Sequence, residues 1–75
     1  ITMKRRYYVM TGGYYPRVYG AFSAFQAETY AKDNNLTIDG YKPNADPKRN
    51  GSWRTLQCAV DYTRKTHGKN PLICR

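Results

Sequence analysis

Residues 7–22 have the sequence YYVMTGGYYPRVYGAF, in which two segments rich in aromatic and β-branched residues flank a connection containing glycine and proline. Such segments favour β-strands. Gly12 and Gly13 tolerate positive φ, while Pro16 fixes its own φ and restricts Tyr15 to extended conformations, so a chain reversal is expected here. The stretch therefore predicts a β-hairpin. Because successive strand residues point to opposite faces, we expect one face to enter a core and the other to present tyrosine rings to a ligand.

A first helix is predicted over residues 23–34. Ser23 has the character of an N-cap, and Gln26 three residues later completes a capping box. Residues 33–35, Asp-Asn-Asn, provide the stop, since asparagine tolerates the left-handed conformation that often ends helices. We expect the core face of this helix to combine four residues, namely Phe25, Ala27, Tyr30 and Ala31.

The remaining chain predicts short strands and a second helix. Residues 36–38 and 51–54 are strand candidates, the second of which would set Trp53 against the hairpin. A helix capped by Thr55 is predicted to run to about His67, with Gly68 marking its exit. Residues 71–74 are expected to cover the core as a short tail. The order ββαβα predicts an α+β fold, in which two helices pack on a small three-stranded antiparallel sheet.

Length and charge narrow the classes of function. The 75 residues predict a single domain over 1–75, with 13 Lys and Arg against 5 Asp and Glu and a net charge of +8. A field this positive favours a polyanionic partner. Nucleic acid is preferred over an anionic membrane because the basic residues are interleaved with 8 tyrosines, 2 phenylalanines and 1 tryptophan.

The sequence lacks the pattern of an enzyme. The five acidic residues show no metal-ligand or acid–base spacing, and His67 is the sole histidine, with no ligand-spaced neighbours. We therefore expect no catalysis, no metal and no cofactor. Gly12-Gly13 is a turn signal and does not belong to a phosphate-binding motif.

The absence of two sequence features, a membrane-spanning segment and a signal peptide, predicts where in the cell the protein is located. No apolar run is long enough to span a bilayer and the N-terminus has no signal-peptide pattern, so we expect an intracellular protein, cytoplasmic or nuclear. Cys58 falls among apolar residues and is predicted to be a buried free thiol, although a pair between Cys58 and Cys74 stays open.

Two blocks of the chain resemble the small nucleic-acid-binding domain at the N-terminus of eukaryotic-type ribonuclease H, which also occurs in the caulimovirus viroplasmin protein. The first is Tyr-Tyr-Val-Met at residues 7–10 with the following Gly13, Pro16, Val18-Tyr19 and Phe22. The second is Ser-Trp-Arg-Thr-Leu at residues 52–56 with Ala59 and Tyr62, and Gly40-Tyr41 matches a Gly-Tyr between them.

The resemblance implies a class of ligand, but the chain also differs from the family at several positions. Phe22 stands where that family has tryptophan, and Asn50-Gly51 replace an aromatic-Lys pair that grips nucleic acid, for which Lys48 and Arg49 could substitute. The first helix and the following loop are longer than in the family. What the resemblance implies is non-catalytic binding of an RNA–DNA hybrid or of double-stranded RNA.

We therefore expect duplex nucleic acid to be bound through its sugars and phosphates. The rings predicted to pack on sugars are Tyr8, Tyr19 and Phe22. The residues predicted to contact phosphates are Lys4, Arg5, Arg6, Arg17, Lys48, Arg49 and Arg54. Two alternatives stay open: a protein-interaction module that docks on an acidic protein surface through tyrosines and arginines, and a single-strand binder that stacks bases on the same rings.

Overall fold

The computed structural model describes residues 5–40 and 51–74, so the predicted phosphate contacts Lys4, Lys48 and Arg49 lie outside the described residues. The described part is an α+β fold, as expected. Neither of its helices is both long and apolar enough to cross a membrane. In chain order its elements are β1 (Arg6–Thr11), β2 (Arg17–Ala21), α1 (Ala24–Asp33), β3 (Thr37–Ile38), β4 (Ser52–Trp53), α2 (Leu56–His67) and β5 (Leu72–Cys74).

The sheet is larger than the three antiparallel strands that the sequence predicts. Five strands pair in the order β3-β1-β2-β5, with β4 also paired to β1. Both candidate short strands form, as β3 and β4, and β5 is a further strand that lies parallel to β2, so the sheet is mixed. The predicted tail at residues 71–74 becomes a strand because Leu72 N–H donates to the carbonyl of Pro16 at 2.8 Å, at the start of β2.

Strand β1 has pairing partners along both of its edges. The hairpin register with β2 sets Tyr8 opposite Tyr19 and Val9 opposite Val18. On the other edge β3 pairs with the Met10–Thr11 end of β1, and β4 pairs with its Tyr7–Tyr8 end. β3 and β4 thus share one edge of a single strand.

Both faces of the hairpin are covered, which contradicts the expectation that one face would be open to a ligand. On one face Tyr8 and Met10 form a buried cluster with Ala27 and Ala31 of α1. On the opposite face Val9 and Val18 pack with Ala59 of α2, flanked by Tyr7, Trp53, Leu56 and Tyr62. The sheet therefore lies between the two helices.

Helix α1 starts and stops where the sequence predicts, and three of the four residues predicted for its core face lie there: Ala27 and Ala31 are buried, and Tyr30 packs against their cluster. The Ser23 hydroxyl accepts from Gln26 N–H at 3.1 Å, and the Gln26 side chain accepts from Phe22 N–H at 2.8 Å. Asn35, just past the end, has a φ of 56°. Phe25 is 77% exposed, so its assignment to the core was wrong. Phe25 precedes Ala27 by two residues, about 200° around a helix, and so points away from the sheet.

Helix α2 also has the predicted caps. The Thr55 hydroxyl accepts from Cys58 N–H, and Gly68 ends the helix in the left-handed conformation at a φ of 68°. Cys58 is an exposed free thiol, so the expectation that it is buried was wrong. It precedes Ala59 by one residue and Thr63 by five, and that offset turns it away from the face that packs on the sheet.

Gly20 in β2 allows a close approach of the opposite strand. A Cβ atom at this position would lie 3.0 Å from Cε1 of Tyr7 and 3.3 Å from Cδ of Arg5. Both distances are short for carbon contacts. The lack of a side chain on Gly20 therefore lets the Tyr7 ring and the aliphatic stem of Arg5 lie against β2.

These packing assignments predict opposite outcomes for two neighbouring positions. Cys58→Ser should change the free energy of unfolding by no more than about 0.5 kcal/mol, because the thiol is exposed. Ala59→Leu should destabilise by about 1–3 kcal/mol, since its methyl group is fully buried between α2 and the sheet. Thermal unfolding of the reduced proteins measures both. Destabilisation by Cys58→Ser as large as that by Ala59→Leu would contradict this packing.

Candidate nucleic-acid interface

Four of the predicted contact residues meet at one end of the sheet, which we name the arginine end: Arg5, Arg6, Phe22 and Arg54. Arg6 pairs with Ala21 at the end of the hairpin, which brings Arg5 next to Phe22. Tyr7 pairs with Trp53 on the other edge of β1, so that Arg54 follows next to Arg6. The pairing of β1 with strands on both sides thus brings together residues that are far apart in sequence.

Both helices begin at the arginine end. α1 follows directly from Phe22, and α2 starts two residues after Arg54. Neither helix has an acidic residue in its first turn. The N-terminus of a helix carries a partial positive charge and unpaired N–H groups. These partial charges therefore add to those of the three arginines.

The side chains of Arg5 and Arg6 are held by contacts with the domain. The Arg5 guanidinium lies over the Phe22 ring, with its Cζ 5.1 Å from the ring centroid. Arg6 Nε donates to the Ser52 hydroxyl at 2.6 Å. A guanidinium has five N–H donors in a planar fork, so each of these contacts leaves donors that can bind phosphate oxygens. Phe22 is 45% exposed, which leaves ring surface for a ligand.

A groove of about 530 Å³ runs from Phe22 along α1, and we name it the α1 groove. Its floor includes the stacked rings of Tyr19 and Tyr30, whose centroids are 4.1 Å apart. Arg17 Nη1 donates to the Tyr30 hydroxyl at 3.1 Å, which sets Arg17 beside the groove and apart from the arginine end. The complete lining consists of Tyr19, Phe22, Ser23, Phe25, Gln26, Thr29, Tyr30 and Asp33.

Tyr8 does not belong to this surface. It is only 1% exposed and lies in the cluster beneath α1, so its predicted role as a sugar-packing ring was wrong. Burial raises the pKa of its hydroxyl, against the opposing effects of Arg6 and of a hydrogen bond with Ser52. The error follows from treating one hairpin face as open. Tyr19 is half-buried and contributes to the groove mainly through its stack with Tyr30.

One ring of the α1 groove, that of Phe25, was predicted from the sequence to lie in the core. In the helix that Ser23 caps, Ala27 and Ala31 lie four residues apart and therefore on the same side. These two small residues are the sequence feature that could have identified the buried face. Phe25 lies on the opposite, outer side of the helix.

A hydrogen-bonded cluster lies beside the middle of β1, where Asp39 N–H donates to the carbonyl of Val9 at 2.7 Å. The Asp39 carboxylate accepts from the Tyr62 hydroxyl at 2.9 Å, and Nε2 of His67 lies 3.2 Å from the same oxygen. The hydrogen bond to Asp39, with burial and the charge of that carboxylate, raises the pKa of Tyr62. Within residues 5–40 and 51–74, no three His, Cys, Asp or Glu side chains are grouped so that they could hold a metal ion.

Comparison with known proteins gives no match to this chain. No family model, curated protein or solved structure matches it.

The Asp39 contact predicts a pH effect. Because the pKa of Tyr62 in the folded protein lies above the ordinary value of 10.0, the folded state keeps this proton longer than the unfolded chain does. Its contribution to stability is complete below pH 10.0 and is lost as pH rises through the folded-state pKa.

The measurement is an ultraviolet titration of tyrosine ionisation, together with unfolding at alkaline pH. Tyr62→Phe should remove one late-ionising tyrosine and make the stability fall less steeply above that pH. An unchanged number of late-ionising tyrosines in the variant would contradict the assignment.

Proposed function

We propose that this domain binds duplex nucleic acid, an RNA–DNA hybrid or double-stranded RNA, at the arginine end and without catalysis. Such ligands occur inside cells, in the cytoplasm or nucleus. The observation that carries the proposal is the set of three arginines around a half-exposed phenylalanine, at the end of the sheet where both helices begin.

The chemistry of this surface suits a phosphate backbone. Arginine forks pair with phosphate oxygens, and the helix N-termini add partial positive charge at the same end. Phe22 offers an apolar surface of the kind that packs against a sugar. Because the deep major groove of an A-like duplex keeps side chains from reading its bases, we expect recognition of shape and of 2′-hydroxyl groups.

A second candidate function is docking of a protein segment in the α1 groove. The observation that favours it is Phe25, whose ring is exposed on α1 and lies apart from the three arginines. Exposed aromatic residues with nearby arginines are common at protein interfaces. The variant Phe25→Ala distinguishes the two candidate functions, because it should impair docking of a protein and leave duplex affinity nearly unchanged.

The charges of the arginine end predict a salt dependence. If Arg5, Arg6 and Arg54 each contact one phosphate, they contribute a slope of about −2.7 to the plot of log affinity against log salt on duplex DNA, and Arg54→Ala should reduce it by about 0.9. Fluorescence anisotropy with labelled blunt duplexes measures this. Lys69→Ala, which removes one charge at the other end of the sheet, is the matched control and should leave the slope unchanged. A flat salt response in the parent would refute the proposal.

The ring of Phe22 predicts selectivity among ligands. Phe22→Ala should weaken binding of an RNA–DNA hybrid by about five- to thirtyfold, equivalent to about 1–2 kcal/mol, and should weaken single-strand binding less. Tyr14→Ala is the matched control for the duplex ligands, because it removes an exposed ring at the other end of the hairpin. A panel of hybrid, duplex RNA, duplex DNA and single strands measures the selectivity.

Folding must be checked because Phe22 directly precedes the cap of α1. Circular dichroism and melting of Phe22→Ala provide this check, and Phe22→Leu retains apolar bulk if the alanine variant is unstable. If folded Phe22 variants bind every ligand as the parent does, the ring has no part in binding and the second candidate is favoured.

A further inference from the structure

The turn of the hairpin carries a second exposed aromatic surface, far from the arginine end. This surface, the hairpin tip, consists of residues 12–15 between β1 and β2. Tyr14 is 96% exposed and Tyr15 is 53% exposed. The Tyr14 ring adds nothing to packing while it remains in water, and together with Tyr15 it forms an aromatic surface that is accessible to a ligand.

Basic groups from the end of α2 lie against this tip. The Lys69 ammonium is 5.8 Å from the centroid of the Tyr15 ring. The same segment and the tip enclose a hollow of about 190 Å³, and the residues that line it are Thr11, Gly12, Gly13, Tyr14, Pro16, His67 and Lys69. Arg64 and Lys65 in the last turn of α2 add positive charge nearby.

The charge at the tip is complementary to an anion. Asp39 is the acidic residue that the structure shows in contact with a residue of the lining, His67, and it does not line the hollow itself. Its carboxylate also accepts a hydrogen bond from the Tyr62 hydroxyl. None of the described residues that line the hollow is acidic. Gly12 and Gly13, both exposed, contribute backbone to its lining.

We propose that the hairpin tip is a separate binding site for unpaired nucleotides of single-stranded RNA or DNA. A base stacks on Tyr14, and Lys69 and the basic end of α2 contact the phosphates. Aromatic rings next to cations are the usual means of holding single strands, because every base has a π-face. A blunt duplex has its bases stacked and paired, so it cannot use the exposed ring in this way.

The site is distinct from the arginine end and does not depend on the function proposed there. β1 separates the two, and six residues at about 3.3 Å each give about 20 Å between them. At the 3.4 Å rise per phosphate of a stacked strand, covering that distance takes about six phosphate spacings. A stacked strand of four nucleotides bound at one end therefore does not reach the other.

The test is fluorescence anisotropy of the full chain with a labelled four-nucleotide single strand. Tyr14→Ala should weaken binding by about five- to one-hundredfold, the loss of one stacked base, whereas Tyr14→Phe should retain it. Lys69→Ala should reduce the salt slope by about 0.7, the value for one phosphate of a single strand. Since the Tyr14 ring is exposed, neither tyrosine variant should alter the melting temperature.

Phe22→Ala is the comparison variant, and it separates this proposal from the one for the arginine end. It should weaken single-strand binding by about twofold at most, less than Tyr14→Ala does, so that the two ends respond to different variants. The proposal is overturned if the parent does not bind the single strand, if Tyr14→Ala binds it unchanged, or if Phe22→Ala alone abolishes the binding. Loss of duplex binding with retained single-strand binding would affect only the arginine end and would support the tip as a separate site.

Discussion

The position of β1 between two strand edges and two helices is the constraint on which the rest of the structure depends. Its backbone is paired on both edges, and its side chains are buried on both faces. Large side chains on this strand require small ones opposite. Tyr8 and Met10 meet Ala27 and Ala31 in α1, and Val9 packs near Ala59 in α2. The alanines let both helices approach the sheet closely enough to fill the interior at native density.

This arrangement decides where a ligand can bind. With both faces of the sheet covered, the open flat surface that many small sheets offer does not exist in the described part of the chain. Binding groups are left at the two ends of the sheet and along the outer side of α1. The ends differ in electrostatics, because both helices run away from the arginine end and place their basic last turns towards the other.

Local signals in the sequence predict the elements well. Ser23, Thr55 and Gly68 each act through hydrogen bonds or φ values within a few residues, and each was predicted from its neighbours. Features set by distant residues were not predictable in this way. The parallel strand β5 forms only because it pairs with β2, which lies far from it in the sequence. The burial of Tyr8 likewise depends on where α1 packs against the sheet.

In the candidate site, too, the residues could be chosen from the sequence, but their arrangement in space could not. Arg5, Arg6, Phe22 and Arg54 were chosen for their chemistry, and the pairing of β1 with β2 and with β4 makes them neighbours. Phe25 was misassigned because its hydrophobicity was given more weight than its angular position on the helix.

Gly20 links the interior of the domain to its surface. The missing side chain there admits the Tyr7 ring on one strand and the stem of Arg5 beside it, and the head of the same arginine rests on Phe22. The orientation of a surface cation is therefore set by the space around a backbone atom in the sheet. A methyl group added at this one position would displace the Arg5 stem, so the shape of the arginine end is constrained by packing in the neighbouring strand as well as by its own residues.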